Sequence, residues 1–146
     1  MGYRLTLYVL PKTEAKKLWN MTTYEQANEV LDKLEKIVHD YCTDAMIDVR
    51  KQMKRVTKAK LDIECDCWMG KMNKELFMVF LDKIKWYAER QIKESPDPLT
   101  WWPYIRESDD KWKLCNTIDW IGAYFQGWYI FKQMDWDNNY IYATMG

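Results

Sequence analysis

Glycine is scarce in this chain, with five in 146 residues, at positions 2, 70, 122, 127 and 146. None builds a glycine-rich loop leading into a helix, so neither a dinucleotide site nor a P-loop is expected. Histidine is scarcer still: His39 stands alone. A Cys–His pair with Cys42 has helical spacing, but nothing recognisable supplies an orienting group or an oxyanion site. His39 is therefore read as structural, a ring near a helix end where the dipole favours positive charge. Net charge is also missing, with 22 basic residues against 22 acidic. No whole-molecule field draws the chain to nucleic acid or to an anionic membrane.

Long apolar runs are absent too, and none approaches the ~20 residues of a membrane span. The N-terminus lacks a basic region followed by an apolar stretch, so no secretory signal is expected. A cytoplasmic, reducing setting follows, with Cys42, Cys65, Cys67 and Cys115 as free thiols. The pair Cys65-x-Cys67 is spaced wrongly for a metal knuckle and reads as small buried hydrophobes. Asp109, Asp110, Asp119, Asp135 and Asp137 match no calcium loop. No metal, no cofactor and no catalysis are expected.

What the chain does hold is aromatic surface: nine Trp and ten Tyr. Trp and Tyr keep a polar end that needs water or a partner, so so many are hard to bury completely. The length suits a single domain, 1–146, with a core over 1–95 and an aromatic extension over 96–146.

The cleanest pattern is LDIECDCW, residues 61–68, which alternates apolar and acidic positions and reads as the spine strand of a sheet. Residues 3–10, YRLTLYVL, form a second strand, with Tyr3, Leu5, Leu7 and Val9 on its dry face and Pro11 at its end. Residues 12–20 read as a polar connector with a helical turn that docks Leu18 and Trp19. Thr22 with Glu25, or Thr23 with Gln26, gives a capping box for a helix to about Tyr41. Its stripe is Ala27, Leu31, Leu34, Val38 and Tyr41.

From Ala45 to Val56 both helix and strand fit. A hairpin pairing Lys54 with Asp62 and Arg50 with Asp66 favours the strand, although it turns Lys51 and Arg55 to the apolar side. Met69–Met72 reads as a break. Asn73 caps a helix to about Glu94, stopped at Ser95-Pro96-Asp97-Pro98. Residues 99–110 are loop-like. Asn116 caps a third helix over 117–134, whose Gly122 and Gly127 each cost about 1 kcal/mol in a helix interior. Asp137-Asn138-Asn139 is a turn, and Tyr140–Ala143 a short last strand. The order β-α-β-β-α implies an α+β, ferredoxin-like split sheet with two packed helices and a helical C-terminal extension.

On these grounds the chain is expected to be a small non-catalytic protein that binds a larger protein as an inhibitor or accessory factor, in the manner of a bacteriophage-encoded host-targeting protein. The expected partner surface is Trp101, Trp102 and Tyr104 in a proline-stiffened loop, with Trp112 beside it. The alternative is a nucleotide or single-stranded nucleic-acid binder using the basic stretch from Arg50 to Lys60: Arg50, Lys51, Lys54, Arg55 and Lys58. Neighbouring Asp62, Glu64 and Asp66 would neutralise that strand. A third possibility is a small-molecule pocket lined by Tyr124, Trp128 and Trp136.

Overall fold

Two strands buried on both faces organise the chain. The computed structural model describes residues 4–58, 68–95 and 110–145. Among them, β1 (Leu5–Pro11) and β4 (Asn139–Met145) pair antiparallel along their whole length, from Leu5↔Met145 to Pro11↔Asn139. β2 (Glu35–His39) adds to the free side of β1, and β3 (Trp68–Met72) to the free side of β4. The described sheet is therefore four-stranded and antiparallel, in the order β2-β1-β4-β3.

Side chains alternate across it, as pleating requires. Leu5, Leu7, Met72, Ile141, Ala143 and Met145 face one way and Leu10 and Tyr142 the other. The first face is covered by α3 (Thr43–Val49), α4 (Lys74–Glu94) and α5 (Asp110–Gln133), through Met46, Phe77, Phe80 and Ile130. The second is covered by α1 (Lys12–Trp19) and α2 (Tyr24–Leu31), through Ala15, Leu18, Ala27 and Leu31. The molecule is thus α+β, with helices on both faces. That explains why the even positions of β1 are not wet: Leu10 is buried and Tyr8 half-buried beneath α1 and α2, and Thr6 is buried beside His39 of β2.

The helix from Asn73 forms as the sequence implies. The Asn73 side chain accepts from the Leu76 amide at 2.9 Å, and Ser95 turns extended at the far end. The frame that caps α2 is Thr23 with Gln26. The turn before β4 also forms, with the Asp135 carbonyl accepting from the Asn138 and Asn139 amides.

Four expectations are corrected. The helix from Thr23 stops at Leu31, and Glu35–His39 becomes an edge strand. The backbone of β1 needs a partner on that side, and β-branched Ile37 and Val38 suit a strand. Residues 43–49 are helical and 50–52 a 3₁₀ turn, so the hairpin reading from Ala45 does not hold. Ala45, Met46 and Val49 bury at helical spacing, and Lys51 and Arg55 stay in water. Met69–Met72 belongs to β3 rather than to a break. α5 begins at Asp110, six residues before Asn116, so Asn116 is not its cap. The sheet order matches a ferredoxin-like split arrangement only in part, because β1 neighbours β2 directly. The spine expected over residues 61–67 lies outside the described residues.

Gly127 is in the α5 interior for a packing reason. A Cβ there would strike Leu81 Cδ2 and lie 2.7 Å from the Tyr41 hydroxyl oxygen. That hydroxyl donates to the Ala123 carbonyl, tying α5 to the segment before α3. Gly127→Ala should therefore destabilise by about 1–3 kcal/mol through overpacking, although alanine is the better helix former. Gly122→Ala, with nothing within 4 Å of its Cβ position, should stabilise by up to about 1 kcal/mol. Urea unfolding of the two variants checks the opposite signs.

Candidate anion-binding groove

Pro11 ends β1 and fixes the backbone from which α1 starts, and the Lys12 amide donates to the Asn138 carbonyl at 2.8 Å. This lays α1 across the second face of the sheet. One side of α1 docks Leu18. Lys12, Ala15, Lys16, Trp19 and Asn20 line a groove of about 840 Å³ on another side. Lys54, Arg55 and Lys71 also line it, together with Tyr140 of β4. Glu14 and Lys17 pair with each other at 3.4 Å, and Glu14 lines a different depression beside α2. An eight-residue helix thus keeps its carboxylate away from its basic side.

The described lining of the groove carries five cations (Lys12, Lys16, Lys54, Arg55 and Lys71) and no carboxylate. In a chain with zero net charge, that is a local concentration of one sign. The aromatic rings hold part of it in place. The Lys12 and Lys71 ammoniums stand 5.2 and 4.8 Å from the Tyr140 ring centroid, and Lys58 stands 5.4 Å from that of Trp19. Each such contact contributes roughly 0.5–1 kcal/mol at an exposed site.

One wall is built against electrostatic preference. Lys54 bridges Lys71 in antiparallel fashion, the Lys71 amide donating to the Lys54 carbonyl at 2.9 Å. Like charges directly opposite are destabilising. Gly70 makes the approach feasible: a Cβ there would sit 3.0 Å from Met53 Cβ and 3.2 Å from the Lys54 carbonyl oxygen.

Of the basic residues singled out in the sequence, Lys54 and Arg55 line the groove and Lys58 reaches its rim through Trp19. Arg50 and Lys51 sit in the 3₁₀ turn and are not part of its lining. Lys12, Lys16, Lys71 and Tyr140 escaped sequence reasoning, and Trp19, expected to dock with Leu18, is instead 41% exposed. The signal for Lys12, Lys16 and Trp19 is their +4, +3 spacing.

Trp101, Trp102 and Tyr104 lie outside the described residues, and Trp112 falls on the first turn of α5. Tyr124, Trp128 and Trp136 are partly buried against the main core, where Trp128 meets Phe131 edge-on at 5.3 Å and Trp136 donates to the Phe131 carbonyl. No described helix is long and apolar enough to cross a membrane.

A second concavity, of about 660 Å³, lies between α5 and the segment Asp40 to Asp44. Its residues do not form the Cys–His pair. Thr6 Oγ1 is 2.7 Å from His39 Nδ1, at the end of a strand rather than of a helix. Burial pushes the Cys42 thiol up to about 12, against a smaller opposing effect of its hydrogen bond with Tyr41. Partial burial and the hydrogen bond to Asp48 push the Tyr87 hydroxyl up to about 12 as well. Both groups are held neutral in the fold, so the stability they contribute is complete below their ordinary values of 9.0 and 10.0. It is lost as pH rises from those values toward about 12. Urea midpoints should fall steeply in that window, and Cys42→Ser should flatten the first part of the decline.

Comparison of the chain with protein-family models, with curated proteins and with solved structures finds no match.

Proposed function

We propose that this chain binds phosphate-bearing ligands, a nucleotide or a nucleic acid, in the groove between α1 and the β3 edge. The observation that carries this reading is a lining with four lysines and no described carboxylate, two of the lysines opposing each other across a strand bridge. An anion between those lysines turns a repulsion into two attractions. The groove volume, about 840 Å³, falls within the range of small-molecule and cofactor sites. Its described lining of Lys, Arg, Asn, Ala, Trp and Tyr offers charge and aromatic surface rather than an acid–base pair, so the role is binding.

Thermal unfolding at low ionic strength with ATP and with sodium tripolyphosphate tests it. A ligand at 100 times its Kd stabilises by about 2.7 kcal/mol, so the midpoint should rise with either anion. A midpoint unmoved by both sinks the reading.

A second reading is supported by α5. Ile118, Phe125 and Tyr129 recur at +7 and +4 on one stripe and are 56%, 66% and 67% exposed. Apolar groups so open suit a protein partner, which would make the chain an accessory or inhibitory factor. Phe125→Ser with Tyr129→Ser should leave the unfolding midpoint nearly unchanged and abolish co-purification of that partner; retained co-purification rejects the α5 surface.

A further inference from the structure

We infer that the ligand of the groove is a single-stranded nucleic acid, its backbone running along α1 and one base stacked on Trp19. This rests on the anion-binding reading above and goes beyond it in naming the ligand.

The cations start from a cluster at Tyr140, where Lys12 and Lys71 flank one ring, and continue along α1. Lys12 and Lys16 stand one turn apart on α1, and an eight-residue helix is about 12 Å long. Lys54 and Lys71 form the facing wall. Charge that extends from the Lys54–Lys71 pair along α1 can contact successive phosphates of a chain. At the C-terminal end of α1 stands Trp19, 41% exposed, with the Lys58 ammonium over its ring. An open indole next to a cationic track is the arrangement on which unpaired bases stack.

In the described lining the side-chain type that reads adenine edges is a single amide. That amide, Asn20, already donates to the Lys16 carbonyl at 3.3 Å. Binding should then tolerate any sequence, because every base has a stacking face. A duplex should bind poorly, since its bases are stacked on each other and cannot offer a face to Trp19.

Fluorescence anisotropy with a labelled oligothymidylate of about twelve nucleotides, inside the usual single-strand site range, tests this. Oligoadenylate of the same length should bind within about threefold, and the matched duplex about tenfold or more weakly. Trp19→Ala should weaken single-strand binding about tenfold, and Trp19→Phe should restore most of it. Trp19 is 41% exposed and carries the Lys58 contact, so Trp19→Phe should keep its unfolding midpoint and Trp19→Ala should lower it only modestly. Tripolyphosphate competing as well as the oligonucleotide, or a Trp19→Ala variant of undiminished affinity, overturns the single-strand assignment and leaves the anion groove standing. Failure of the oligonucleotide and of both small anions to bind overturns the groove reading itself.

Discussion

Phe77→Ala should lower the free energy of unfolding by about 3–5 kcal/mol. For a chain of 146 residues, that moves the midpoint by roughly 6–20 °C. Phe77 is fully buried at the start of α4, where the helix, the sheet and α5 meet. Its ring lies 5.9 Å from that of Phe80, 5.5 Å from that of Trp136 and 6.4 Å from that of Phe131, the last nearly parallel to it. Three rings on three segments lose a common neighbour when it is cut back. They belong to a helix start, a helix end and a turn, so they cannot all shift together to close the space. The cost therefore includes the cavity as well as the lost transfer term. Val79→Ala is the control: on the same helix but 39% exposed, it should cost about 0.5 kcal/mol or less. Equal effects from the two variants would contradict the placement of the core.

Lys71→Glu should weaken ligand binding while leaving stability nearly unchanged. The native pairing sets Lys54 against Lys71, and exchanging one charge converts repulsion into attraction worth roughly 0.2–1 kcal/mol, which offsets the lost Lys71–Tyr140 contact of roughly 0.5–1 kcal/mol. The same change turns one groove contact from attractive to repulsive. At about 4 Å each such interaction is worth about 1 kcal/mol in water, so anion affinity should fall roughly 10- to 100-fold. A residue kept only for the fold would not lose binding at unchanged stability. Lys85→Glu, on exposed α4 beside Glu89 at 3.8 Å, should leave anion binding unchanged. Calorimetric unfolding together with oligonucleotide titration reads both effects. A variant that binds normally would remove Lys71 from the site.

How much of this was legible before the fold was known depends on how local each signal is. Asn73 and the stop at Ser95 are signals local to one helix and match its bounds; the apolar spacing Phe77, Phe80, Leu81, Ile84, Ala88 and Ile92 predicts one buried face, and of these Ile92 alone is exposed, at 52%. Glu35–His39 was misread because its helical stripe continues that of α2, while the demand of β1 for an edge partner is invisible from a distance. Residues 43–52 were misread because charge pairing with the acidic stretch outweighed burial of Met46 and Val49.

The groove was legible only in its Lys54 and Arg55 wall. Lys12, Lys71 and Tyr140 are far apart in sequence, and they meet only because β4 enters the sheet between β1 and β3. The overall charge balance of 22 against 22 further hid a one-signed surface within a neutral total. The aromatic surplus was legible as a count but not as placement. Trp128 and Trp136 pack against the core, whereas Phe125 and Tyr129 face water.

The most direct measurement is the affinity of the intact chain for a labelled single-stranded oligonucleotide across a series of salt concentrations. Each phosphate neutralised contributes about −0.7 to the slope of log affinity against log salt, so three to five contacts give roughly −2 to −3.5. That slope should become shallower by about 0.7 in Lys16→Ala. Affinity that holds level from low to physiological salt, or a slope that ignores the loss of Lys16, would contradict a groove that works through its cations.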